Sequence, residues 1–371
     1  MYAIFHPTFS PQPWHVFVSY LACTWLSCAI VLFGNKHLPF VGNLGLLFIL
    51  SGFFVTILVC LVMPKVRGDP YATSDTVWRE WTNSTGYSSN SLTFLIGMLN
   101  GAYTIGSTDC VTHLAEEIPR PSRNIPKIMA AQYLIGFSTG LLFVISVFYA
   151  VDDLPTALSS VPIFPLAGLY KQAVGTSGGA LGLLIIVFLP TFITCIGCYV
   201  TAGRTLWTLS RDNAPPFCNL LRQVHPTLHN PFNATLVCAL LSTLMGCIYV
   251  GSRTAFNALI GSYVIFSTLS YLGAILPHLL SMRRNIKPGA FWMDGMTGFI
   301  VNGISCLYIV VFIVFFSFPY VMPVGADNMN YTSLIVGGLT MFIIGFWFWR
   351  QGDYKGPRMV DMEEVHAPAA I

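Results

Sequence analysis

Of the chain's 371 residues, 54% are hydrophobic and only 9% charged, against roughly 25% charged in an ordinary soluble domain. So few charges cannot cover the surface of a soluble protein of this length, and a net charge of +3 is too small and scattered to serve nucleic acid. The composition is that of a polytopic membrane protein.

Residues 1–13, MYAIFHPTFSPQP, lack a basic n-region and a small-residue cleavage site, so no cleavable signal peptide is expected. A membrane-spanning helix needs about 20 apolar residues. Nine stretches meet that length: 14–34, 42–63, 91–113, 128–150, 177–203, 232–250, 255–281, 297–318 and 331–349. Helices in lipid are apolar all round, so length and absence of charge identify them, not amphipathic periodicity. Histidines aside, Asp109 is the one acidic or basic side chain within all nine. Thirteen of the 18 lysines and arginines fall in alternate loops, at Lys36, 120–127, 204–222, 283–287 and 350–358, which makes those loops and the C-terminus cytoplasmic. The N-x-S/T sequons at Asn83 and Asn330 then fall outside, and the one at Asn233 inside. Nine spans with a cytoplasmic C-terminus put the N-terminus outside, although no signal peptide or flanking charge would export it. An odd number of helices missing upstream resolves this, so the chain is expected to be an N-terminally truncated product. The ten cysteines lie mostly singly along apolar runs, as small packing residues do. Cys195 and Cys198 form a C-x-x-C pair in an uncharged run with no second pair, which favours packing over metal or redox use.

The third stretch differs from the rest. From Asn100 to Lys127 the sequence reads NGAYTIGSTDCVTHLAEEIPRPSRNIPK. An apolar run loosens at Gly101 and again at Gly106-Ser107-Thr108, where glycine adds backbone entropy and the hydroxyls compete for backbone partners. Asp109 follows where the apolar character should continue. Helix is expected to resume there, to end in Glu116-Glu117, and to leave through a rigid turn marked by Pro119, Pro121 and Pro126. Unwound backbone at membrane depth persists only where it lines a cavity or is buried in protein. A broken helix with an intramembrane acid is therefore a binding-site candidate.

This stretch resembles the G-x-x-D-x-x-x-H-x-x-E-E-x-x-x-P-x-x-x-I-P signature of fungal choline and GABA/amino-acid permeases, within the amino acid–polyamine–organocation (APC) superfamily. The resemblance continues in TAGRTLWTLSRDNAPPF at 201–217, where Gly203 stands at a usual serine, and in VGSRTAFNALIGS at 250–262. Further matches are SMRRNIKPGAF at 281–291, FPYVMPVGADNMNYTS at 318–333 and the short DYKGP tail at 353–357; WHVFVSYLACTW near the start is closer to the choline branch. The resemblance implies an all-α, LeuT-like inverted-repeat transporter fold lacking its first three helices. On that pattern 1–90 is the remnant of the first repeat, with two spans and an outer loop. The complete second repeat occupies 91–281, two accessory spans 282–350, and a cytoplasmic tail 351–371. It also implies a plasma-membrane protein, no cofactor, and half of the substrate site missing upstream.

The expected function is secondary transport of choline or of an amino acid or GABA-type nitrogen compound across the lipid bilayer, with H+ as the coupling ion if Asp109 carries it. Substrate-binding candidates are Ala102, Tyr103, Ile105, Gly106, Ser107, Thr108 and Asp109, with Asp109, His113 and Glu117 as a proton path or gate. Asp109 either faces the cavity or caps the resuming helix, and the two roles can coexist. His113, Glu116 and Glu117 follow at i+4, i+7 and i+8, on one helix face; they form an inner gate or an interfacial cluster neutralised by Arg120, Arg123 or Arg211. Tyr103, and more weakly Tyr199, offer aromatic faces to a quaternary nitrogen. No nucleophile–base set, phosphate loop or Cys/His cluster is present, so enzymatic chemistry is not expected; TSGGALG at 176–182 reads as small-residue helix packing. The alternative reading is a truncated, non-transporting membrane protein with a sensing or assembly role.

Overall fold

The computed structural model describes residues 2–354 apart from 7, 8, 162, 163, 285 and 287. Lys287, Lys355, Arg358, the end of the DYKGP motif and most of the expected cytoplasmic tail lie outside the described residues. The described residues are helical, without strands, and eight of their helices are long and apolar enough to cross a membrane. These are α1 (Pro13–Phe33), α2 (Leu38–Arg67), α4 (Pro121–Tyr149), α5 (Ser177–Arg211), α6 (Phe232–Gly251), α7 (Arg253–Leu280), α8 (Gly295–Phe316) and α9 (Thr332–Arg350). Between α2 and α4 lies α3 (Asn90–Thr104), too short to span alone and continued by a separate 3-10 helix, Thr108–Leu114. The protein is an all-α integral membrane protein, and its ninth apolar stretch is the interrupted one.

Several helices outrun their apolar cores. α4 begins at Pro121, whose fixed φ suits a first helical turn and whose missing N–H would be unpaired there anyway. α5 runs eight residues past the expected apolar limit to Arg211, so Arg204 and Arg211 both stand on its last turns. At its other end Thr176 caps the helix by accepting from the Gly179 amide at 3.2 Å, so TSGGALG is a helix start as well as a packing stretch.

α5 is the central post, packed against α1, α2 and α6. In lipid, helices associate through close backbone approach at small residues instead of through water exclusion. Gly45 and Gly52 on α2 provide it: a Cβ there would come within 2.8 Å of Ile193 and 2.6 Å of Ile186 on α5. Gly203 on α5 likewise lies against the buried Thr235 of α6, which fills the space a side chain would need. That contact explains why glycine replaces the usual serine. The end of α1 is fastened by exchanged amides: Asn230 donates to Val31 and Leu32 carbonyls at 3.2 and 2.8 Å, and Asn35 donates to His229 at 3.2 Å. α3 stands apart from this group and packs on α7 and α8 through Leu99, Val264, Ile265 and Phe316. The loop before α3 is zipped to the loop before α9, with Tyr87 donating to Pro319 at 2.8 Å and the Met322 amide donating to Thr85 at 2.7 Å. Asn330 belongs to this structure. It is 2% exposed and donates to the Phe316 and Phe318 carbonyls at 2.9 Å, so its sequon is closed to modification in the folded protein.

Candidate functional site

The site is built on the interruption after α3. The Ile105 amide still reaches Gly101 at 3.2 Å, Gly106 reaches Tyr103 only at 3.5 Å, and Ser107 turns left-handed with φ 59°. A non-glycine residue in that region costs about 1–2 kcal/mol, which its surroundings must offset. The Ser107 hydroxyl is hydrogen-bonded to the Tyr263 hydroxyl, and Thr108, 3% exposed, shares a 3.1 Å hydrogen bond with Tyr133. The break is thus held from α7 on one side and α4 on the other. The amides of Ser107, Thr108 and Asp109 find no acceptor among the described residues. They form the positive end of a short helix, and the adjoining carbonyls are the complementary acceptors.

A cavity of about 930 Å³ opens on this break, walled by the end of α3 from Met98 to Ala102, the break at Ile105 and Gly106, the first 3-10 turn, α7, α8, and Met129 and Tyr133 of α4. Its wall is largely apolar, with Tyr133, Tyr263, Tyr271 and Tyr308 contributing rings and hydroxyls. Among the described residues lining it, Asp109 is the one carboxylate and no lysine, arginine or histidine appears. The carboxylate is divided between two elements: Oδ1 accepts from the Tyr271 hydroxyl of α7 at 2.6 Å, while Oδ2 lies 3.6 Å from His113 Nε2. Ser267 donates in turn to Tyr271 at 3.1 Å, which fixes the phenol from behind. Both acid and imidazole remain about one-third exposed, at 33% and 31%, so water and solutes reach them. An apolar chamber with one accessible carboxylate, ringed by phenols, is suited to a small organic cation.

Most of the predicted residues meet at this place. Ala102, Ile105, Gly106, Ser107, Thr108 and Asp109 all line the cavity. Tyr103 does not: its hydroxyl is tied to the Ile260 carbonyl and its ring stacks on Tyr263 at 6.2 Å. Tyr199 packs with Cys28, Leu32 and Ala239 in the α1–α5–α6 core, away from the break. Helix does resume after the interruption, but as a 3-10 helix that ends at Leu114, so Glu116 and Glu117 do not continue the face of Asp109. They sit in the following turn and are held by α5: Arg204 pairs with Glu117 at 2.7 Å and Arg211 with Glu116 at 2.8 Å. Arg211 was among the expected partners; Arg204 replaces Arg120 and Arg123. Asp109 is not the cap of the resuming helix, a position taken by Ser107. Tyr271, Tyr263, Ser267 and Tyr133 are the members that sequence reasoning missed. On uniformly apolar spans nothing in spacing separates a cavity-facing tyrosine from a lipid-facing one; the only usable signal is the S-x-x-x-Y spacing of Ser267 and Tyr271, one helical turn apart.

Comparison with known proteins gives this arrangement a family. The family model described as amino acid permease matches residues 1–341. A choline transporter of Saccharomyces cerevisiae is 35% identical, over 99% of this chain and 62% of its own length. A 7-keto 8-aminopelargonic acid transporter of the same yeast is 25% identical, over 90% of this chain and 63% of its own. Amino-acid permease BAT1 of Arabidopsis thaliana is 28% identical, over 86% and 63%. The chain therefore spans a little over three fifths of the length of these curated relatives. Permeases and transporters, and no enzymes, make up these matches. With the match running over nearly the whole sequence, the chain belongs to the amino acid permease family.

Proposed function

We propose that the protein takes part in transmembrane transport of a small organic nitrogen compound, choline or an amino acid of the GABA type, through the cavity beside the α3 break. The observation that carries this reading is Asp109, an accessible carboxylate at the interruption of a membrane helix, facing a chamber that holds no side-chain cation among its described residues. A cation held about 4 Å from a carboxylate at an effective dielectric near 20 gains about 4 kcal/mol. The phenol rings favour choline, whose quaternary nitrogen needs no hydrogen-bond acceptor, and the name of the yeast relative at 35% identity points the same way. The unpaired amides at 107–109 suit the carboxylate of an amino acid and keep GABA in view.

Transport would proceed by alternating access, with 91–281 acting as one repeat of an inverted pair. Asp109 is the proposed proton carrier, His113 its neighbour on the path, and the Glu117–Arg204 pair the inner gate. The lysine and arginine asymmetry supports a cytoplasmic C-terminus, and the plasma-membrane location rests on the resemblance to the fungal permeases alone. Radiolabelled uptake, comparing choline with GABA and other amino acids, tests the reading. Saturable choline uptake is expected, reduced on the order of a hundredfold in apparent affinity by Asp109→Asn. An unchanged Asp109→Asn protein would remove the acid from the site, and uptake insensitive to a proton-gradient uncoupler would remove proton coupling.

A further inference from the structure

The stretch EEIPRPSRNIPK, residues 116–127, separates its charges in space. Its acids are taken inward: Glu116 and Glu117 pair with Arg211 and Arg204 of α5. Its bases are left outside. Arg120 at the cap of α4, and Arg123 and Lys127 on its first two turns, are exposed and make no ion pair among the described residues. Arg123 and Lys127, four residues apart, share one helix face, and Arg120 stands at the cap before them. Continuing that face by sevens from Lys127 gives Leu134, Leu141 and Phe148, which are 70%, 45% and 41% exposed. Neither Leu134 nor Leu141 lines the cavity, and no residue of the apolar window of α4 is buried among the described residues. One stripe thus carries positive charge at the membrane edge and bare hydrocarbon below it, with the N-terminal end of the α4 dipole adding to the charge.

We propose that this stripe is a binding surface for an anionic phospholipid, the phosphate and carboxylate of the headgroup lying against Arg120, Arg123 and Lys127 and the acyl chains along Leu134 and Leu141. Charge complementarity selects the headgroup and the apolar continuation selects a lipid over a soluble anion. Arg120 is three residues from Glu117, so an occupied surface steadies the turn that the Arg204 pair holds from the other side. The inference stands apart from the identity of the transported solute.

The test uses the purified 371-residue chain in detergent. It is titrated with phosphatidylserine and with phosphatidylcholine, and retained lipid is counted by native mass spectrometry. Phosphatidylserine is expected to be retained preferentially, and R120Q/R123Q/K127Q to reduce that preference at least about tenfold. A control of equal charge, K36Q/R222Q/R284Q, removes three other exposed bases and is expected to leave the preference intact. Raising salt from about 0.1 M to about 1 M shortens the screening length from about 10 Å to about 3 Å and should weaken retention in the unaltered protein, a readout that needs no variant to fold. Equal retention of both lipids, equal loss in the control or indifference to salt would overturn the proposal. So would displacement of the lipid by glycerophosphoserine at matching concentration, which would make the surface a soluble-anion site.

Discussion

Asp109 and Tyr271 carry the local argument. A hydroxyl donating to a carboxylate contributes about 1.5–3 kcal/mol, more than an exposed ion pair, and here it joins the 3-10 segment to α7 across the cavity. Tyr271→Phe keeps the ring and removes the donor, so kcat/KM for uptake should fall about tenfold or more while the protein still folds; initial rates against substrate concentration read this directly. A variant with unchanged rates would show that the acid needs no holding. Gly203 makes a second residue-scale case. Gly203→Ser restores the residue usual in the resembling permeases, yet its Cβ overlaps Thr235, so a loss of about 1–3 kcal/mol is expected. Thermal unfolding in detergent measures it, and adding Thr235→Ala should recover most of the loss.

At the scale of elements, the spans were legible because lipid permits little else: length and freedom from charge mark a helix whatever its neighbours are. The α3 interruption was legible for the complementary reason, since Gly106-Ser107-Thr108-Asp109 puts helix-weakening residues and a charge where a bilayer tolerates neither without purpose. What the break packs against was not legible. Tyr271, Tyr263 and Tyr133 stand on apolar helices whose sequences carry no amphipathic stripe, and Arg204 looks like any membrane-edge arginine until the fold brings Glu117 to it. The resumption as 3-10 in place of α helix also escaped, because Asp, Thr and His tolerate both. Close helix contact can be tested by bulk: Gly45→Leu should force α2 off Ile193 of α5, with a loss of about 1–3 kcal/mol, whereas Gly42→Leu, where a Cβ meets nothing within 4 Å, should be tolerated. Comparing the thermal midpoints of the two variants decides between packing at Gly45 and a mere propensity effect.

For the molecule as a whole, eight helices of the described residues run unbroken, and the one packed on α7 and α8 is cut where it meets the cavity. A continuous span hides its amides for as long as it stays folded, while a cut one exposes a few of them to any water that enters the cavity. Hydrogen–deuterium exchange followed by mass spectrometry on the reconstituted chain therefore bears most directly on the central claim. The peptide covering 101–114 should exchange far faster than peptides from the middle of α5 or α8, and saturating choline should slow it about tenfold. Protection equal to that of α5 and α8, unaltered by choline, GABA or other amino acids, would contradict a solute-facing break.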